Sequence, residues 1–101
     1  MAAFDAGALD EVIHAKVRLA IMAYLSGADS ADFVTLKRKL DLTDGNLSVH
    51  LKKLEDAHYV RVAKRFAARK PQTVVTITRE GRRAFGAYLT ALGALLSPTK
   101  D

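Results

Sequence analysis

Between residues 43 and 60 the chain reads TDGNLSVHLKKLEDAHYV. Wound as a helix, this stretch gathers Gly45, Val49 and Lys52 on one face, with Asn46 and Lys53 on one flank and Ser48 on the other. The chemistry open to such a set is recognition, not bond-making. Asn46 offers a donor and an acceptor together, which suits adenine. Lys52 and Lys53 can donate to guanine or hold phosphate, and Val49 can pack on a thymine methyl. The same pattern also serves an ordinary amphipathic surface helix, and the elements around it must decide.

Other chemistries find little support. His14, His50 and His58 are the only histidines, and none has a Ser or Lys beside it in a nucleophile arrangement. His50 borders the leucine face of its helix and reads as a packing histidine. There is no cysteine, so disulfides, thiol switches and thiolate metal sites are excluded. No metal site and no cofactor is expected. The stretch GADSAD lacks the lysine and spacing of a phosphate loop. An enzyme is therefore not expected.

The elements that must position residues 43–60 follow from periodicity. Leu47, Leu51 and Leu54 recur at helical spacing, and Thr43 is a suitable N-cap with Asp44 in the first turn, which predicts a helix over 44–57. Before it, VTLKRKL predicts a short helix over 34–40 with Leu36 and Leu40 inward, and DLT forms a tight turn. Two helices so joined form a helix-turn-helix. Further upstream, an apolar stripe from Leu9 through Val12, Ile13, Val17 and Ile21 to Leu25 predicts one helix over 8–26, ended by Gly27. Phe33 is expected in a very short strand.

After the leucine helix the period changes to two. Val60 and Val62 alternate with Arg61 and Ala63, AARKP makes a basic turn, and QTVVTIT is β-branched. This predicts a hairpin over 59–78, with Lys64 and Arg65 on the outgoing strand and Arg69 and Lys70 at the tip. Thr78 then caps a helix over 79–96, which Ser97-Pro98 ends. Phe85, Tyr88, Leu89, Leu92, Leu95 and Leu96 form its stripe. Both terminal helices have surplus apolar surface, which favours a homodimer. The dimer residues expected are Leu9, Val12, Ile13, Phe85, Tyr88, Leu89, Leu92 and Leu96. The fold class is α+β and mostly helical: a winged helix-turn-helix with an added C-terminal helix, one domain over 1–101.

The chain has 101 residues and a net charge of +5, and the charge is unevenly spread. Residues 1–35 carry −3, residues 36–58 carry +1 and residues 59–101 carry +7. A basic second half beside the candidate helix points to a polyanion. No aromatic platform for stacking bases is visible, which favours double-stranded DNA over RNA. No stretch is long and apolar enough for a membrane span, and the acidic start MAAFDAGALDE is not a targeting segment. A cytoplasmic protein without membrane contact is expected.

The runs LTDGNLSVHLKKLE and KPQTVVTIT followed by REGR, with HAKVRLAIMAYL before them, resemble the small winged-helix transcriptional regulators of the MarR and ArsR superfamily, and within it the single-domain group. The resemblance spans roughly residues 12–96. It implies a homodimer built from the first and last helices, with recognition helices in successive major grooves. Carried over by position, it implies that Thr43, Asn46, Ser48, Val49, Lys52 and Lys53 face DNA from the helix, and Arg65, Arg69 and Lys70 from the wing. Repression by occupying a promoter is the expected outcome. A winged-helix protein-interaction module is the alternative, and any small-molecule effector is not readable. One position departs from the family: where glycine usually ends the recognition helix in a left-handed turn, this chain has His58.

Overall fold

The computed structural model describes residues 5–97. After a 3-10 turn at Ala6–Ala8 come α1 (Glu11–His14), α2 (Lys16–Ala28), β1 (Ser30–Asp32), α3 (Phe33–Leu40), α4 (Asp44–Asp56), β2 (Val60–Ala67), β3 (Lys70–Ile77) and α5 (Arg79–Leu96). The three strands form one antiparallel sheet in the order β1-β3-β2. The winged helix-turn-helix with an added C-terminal helix is thus present in the expected order.

The first helix departs from expectation. It is not continuous over 8–26 but breaks at Ala15, whose backbone is extended (φ −66°, ψ 135°). Neither Gly nor Pro marks the break. Instead the Arg18 Nε donates to the Val12 carbonyl at 2.6 Å and satisfies a carbonyl that a continuous helix would have used. Asp10 caps the short α1 by accepting from the Val12 and Ile13 amides. The second departure is at the other end: α2 runs through Gly27 to Ala28, and Asp29, at φ 68°, ends it. Strand pairing sets this end, because the Asp29 carbonyl accepts from the Ile77 amide at 3.0 Å.

The short strand covers Ser30–Asp32, so Phe33 is not in it but opens α3. Asp32 accepts from the Thr35 amide at 2.7 Å, and this bond holds its carboxyl below the usual carboxylate range. Asp41 then ends α3 in a left-handed conformation (φ 55°), with the Leu42 amide reaching back to the Lys37 carbonyl. This reversal aims α4 across the front of the domain.

The core gathers one face from every long element. Ile21, Met22 and Leu25 of α2, Leu36 of α3 and Leu47, Leu51 and Leu54 of α4 are buried against Val60, Val75 and Ile77 of the hairpin. Each such side chain removed from water contributes roughly 1.5–3 kcal/mol. From α5, Phe85 and Tyr88 join this core, and so does Ile13 from α1. These three were expected at a subunit interface, but they are covered within one chain. The Tyr88 hydroxyl shares a hydrogen bond with His14 Nδ1 at 2.8 Å, which draws α5 against α1.

The start of α5 is held equally closely. Thr78 caps it by accepting from the Gly81 amide at 2.9 Å, while its own hydroxyl donates to the His58 carbonyl. A Cβ on Gly81 would stand 2.1 Å from the Tyr59 carbonyl oxygen, so only glycine lets the helix approach the hairpin here. Arg82 donates to the Ser26 carbonyl and pairs with Asp29, tying α5 to the end of α2. Beyond Tyr88, Leu92 still packs against the core while Leu89 and Leu96 stay exposed, and the molecule measures 61 by 25 by 21 Å. Pro98, expected to stop this helix, lies outside the described residues.

Candidate nucleic-acid interface

The outward face of α4 is built by burying the opposite one. With Leu47, Leu51 and Leu54 fixed in the core, the 3.6-residue repeat leaves Asn46, Ser48, Val49, Lys52 and Lys53 all exposed. Val49 is 55% exposed and is the apolar centre of that face. Thr43 accepts from the Asn46 amide at 3.1 Å. Its acceptor role is therefore used in capping, while its O–H can still donate. Asp44 pairs with Lys37 at 2.8 Å, so it links α3 to α4 and stands at the positive end of the helix dipole.

Lys52 donates to Asp56 one turn on, at 2.7 Å, and this bond raises its pKa. The pair is solvent-exposed and easily exchanged for another anion. On the other flank, His50 Nδ1 accepts from Arg18 Nη1 at 3.1 Å. A guanidinium has no acceptor, so this contact requires the neutral ring with its proton on Nε2. Burial and the adjacent Arg18 and Lys53 charges push the His50 pKa down, in agreement. His50 is thus a packing residue that fixes α4 against α2.

The far end of α4 closes in a Schellman motif. The Tyr59 amide reaches the Leu54 carbonyl and the His58 amide reaches the Glu55 carbonyl, both at 2.9 Å, with His58 at φ 67°. His58 therefore occupies the left-handed position. The Tyr59 hydroxyl donates to Asp10, and this bond together with burial pushes the Tyr59 pKa up to about 12. The end of α4 is thereby tied to the cap of α1.

The hairpin stands beside α4. Its strands pair from Val60↔Ile77 to Ala67↔Lys70, leaving Ala68 and Arg69 as a two-residue turn with both residues at positive φ (52° and 64°). That geometry follows the twist of the strands, although neither residue is of the Asn or Gly type that favours it. Arg69 is at the tip. Arg65 and Lys70 lie on the outer face, where Arg65 Nε donates to Gln72 Oε1 at 3.2 Å.

The inner face holds Lys64, expected on the outgoing strand, and Phe66, which was not among the expected site residues. Counting by twos from Val60 and Val62 places Lys64 and Phe66 there. Lys64 lines a groove of about 410 Å³ together with Ser48 and Lys52 of α4. Phe66 is 73% exposed, which corrects the expectation that no aromatic ring would be presented. The strand outruns the core at this point, so nothing covers the ring. The alternation already visible in YVRVAKRF was the signal for both residues. Among the described residues, no group of three His, Asp or Glu side chains could hold a metal ion.

A capped helix with a polar and basic outward face, preceded by a short helix and flanked by a basic hairpin, defines a class. A family model described as a winged helix DNA-binding domain matches residues 17–96, and the chain belongs to that family. It is 42% identical over 79 residues to an uncharacterised protein of Methanocaldococcus jannaschii, covering 78% of this chain and 86% of the other. Its fold is similar to that of a transcriptional regulator homologue from Pyrococcus horikoshii OT3, with a TM-score of 0.82 and 37% identity over 86% of each chain. It is also similar to reduced AbfR bound to DNA, with a TM-score of 0.74 over 95% of this chain and 69% of AbfR. Identity there is 22%, so that likeness concerns the fold alone. A likeness to an ArsR family transcriptional regulator, with a TM-score of 0.61 over 88% of this chain and 87% of the other at 20% identity, also concerns the fold alone.

Proposed function

We propose that this protein is a sequence-specific, double-stranded-DNA-binding transcriptional regulator that acts as a homodimer and represses by occupying its site. The observation that carries the reading is the outward face of α4, where Asn46, Ser48, Val49, Lys52 and Lys53 are exposed together beside a hairpin without one acidic residue from 60 to 77. Asn46 and Val49 would read bases, and Thr43, Lys52 and Lys53 would hold phosphates or guanine. Arg65, Arg69 and Lys70, with Lys64 on the inner face, would add phosphate contacts from the wing. The DNA-bound state of AbfR, which shares the fold, is consistent with this use of the scaffold.

The dimer would form through α5 and the segment before α1. Leu89 and Leu96 are 49% and 75% exposed, and Leu9, Val12 and Leu92 are half-buried beside them or at the domain edge. A face of exposed leucines on a helix gains by pairing with its own copy. Ile13, Phe85 and Tyr88 would support that face from beneath. Two copies would set half-sites about one helical turn apart, on a short imperfect palindrome. No helix of the described residues is long and apolar enough to cross a membrane, and a cytoplasmic location belongs to the same proposal.

The test is selection of bound duplexes from a random library, followed by gel-shift titration of the winning site. The expected result is a palindromic site whose affinity falls steeply with salt, by about 0.9 log units per log unit for each phosphate contacted. Replacing Lys52, Lys53 and Arg69 together by alanine should abolish binding with the melting temperature unchanged. Tight binding by that triple variant would refute the reading.

A further inference from the structure

Phe66 is the large exposed apolar side chain of the wing, and the proposed function leaves it unused. It stands opposite Pro71 in the strand register, so two apolar side chains share the inner face close to the turn. β1 pairs with β3 only from Val74 to Thr76, which leaves Pro71 on a free edge where its missing N–H costs nothing. A single exposed apolar residue is ordinary. This one differs in its surroundings. Lys64 shares the inner face with the pair, Arg69 stands at the turn beside it, Arg65 and Lys70 charge the outer face of the same hairpin end, and no acidic residue occurs in the hairpin sequence. A hairpin end of this charge repels a second copy of itself and attracts a polyanion. The face also continues from the groove lined by Ser48, Lys52 and Glu55 of α4 and Lys64 of the hairpin, where two cations outnumber one carboxylate. Phe66 follows Lys64 on that face, two residues closer to the tip.

The sugar rings of duplex DNA present apolar C–H faces between the phosphates. Cations pair with phosphates and release counterions, but an aromatic ring on a sugar buries apolar area and releases none. We infer that Phe66, backed by Pro71, packs on the deoxyribose wall of the groove beside α4 and supplies a salt-independent share of DNA affinity. The inference rests on the proposed function and assigns a role within it.

The test uses the selected duplex with Phe66→Ala and Phe66→Thr, the second keeping strand preference. Both variants should melt with wild type, because the ring is exposed. Both should bind about tenfold more weakly, as expected for losing a partly buried ring. The slope of log affinity against log salt should be unchanged. Lys64→Ala should instead weaken binding and lower that slope by about 0.9. Unchanged affinity in the Phe66 variants, or a lowered slope, would overturn the inference while leaving the proposed function standing. Failure of wild type to bind any duplex would remove both. A Phe66-dependent rise in 2-aminopurine fluorescence would mean intercalation between bases and would overturn the sugar contact. Wild-type binding to phosphatidylserine vesicles that Phe66→Thr abolishes would assign the tip to a lipid surface and overturn it too.

Discussion

Replacing His58 by glycine should make this protein more stable without touching its candidate interface. His58 holds φ 67° at the end of α4, where a side chain crowds its own backbone. That strain costs about 1 kcal/mol, and histidine is among the less penalised types. Glycine removes the strain but makes the unfolded chain freer, returning part of the gain. The His58 backbone contacts persist in the variant, since they are the amide bond to Glu55 and the carbonyl bond from Thr78. A net gain of about 0.5 kcal/mol remains, which for a domain of this size raises Tm by about 2–4 °C. Asp41→Gly, at φ 55°, is the internal control. Aspartate tolerates this conformation better, so its gain should be smaller. Differential scanning calorimetry gives both values, and gel-shift titration should show unchanged affinity, because position 58 is about 20 Å along the helix from Thr43. A Tm for His58→Gly at or below wild type would refute the reasoning and show that the ring makes a contact worth more than the strain.

Gly81→Ala should destabilise by about 3 kcal/mol or more, because the new Cβ meets backbone at Tyr59 and must push α5 off the hairpin. A melting temperature within two degrees of wild type would contradict this. Leu89→Glu combined with Leu96→Glu should yield a folded monomer by sedimentation velocity and circular dichroism, since both leucines are exposed in the single chain. An intact dimer would move the interface off α5.

Much of the candidate site was legible in the sequence. Leucines at 47, 51 and 54 can face one core only if Asn46, Ser48, Val49, Lys52 and Lys53 face elsewhere, and helical geometry alone forces that. Thr43 and Thr78 were readable as caps because capping is a contact between residues two or three apart. The change from helical period to period two located the hairpin, and β-branched QTVVTIT made its return strand unambiguous. The same alternation also puts Lys64 and Phe66 on the core side of the outgoing strand, although the sequence does not show that Phe66 stays exposed there.

What tertiary structure alone decided are features that depend on distant partners. The break at Ala15 exists because Arg18 satisfies the Val12 carbonyl. The end of α2 passes Gly27 because Asp29 is bonded to Ile77, nearly fifty residues on. An apolar stripe says which side of a helix avoids water and not what covers it. Hence Ile13, Phe85 and Tyr88 looked like interface residues and proved to be core, while Leu89 and Leu96 stayed open. In Phe66 the same rule runs the other way. A strand pattern placed it on the inner face, and only the reach of the hairpin past the end of the core left it uncovered.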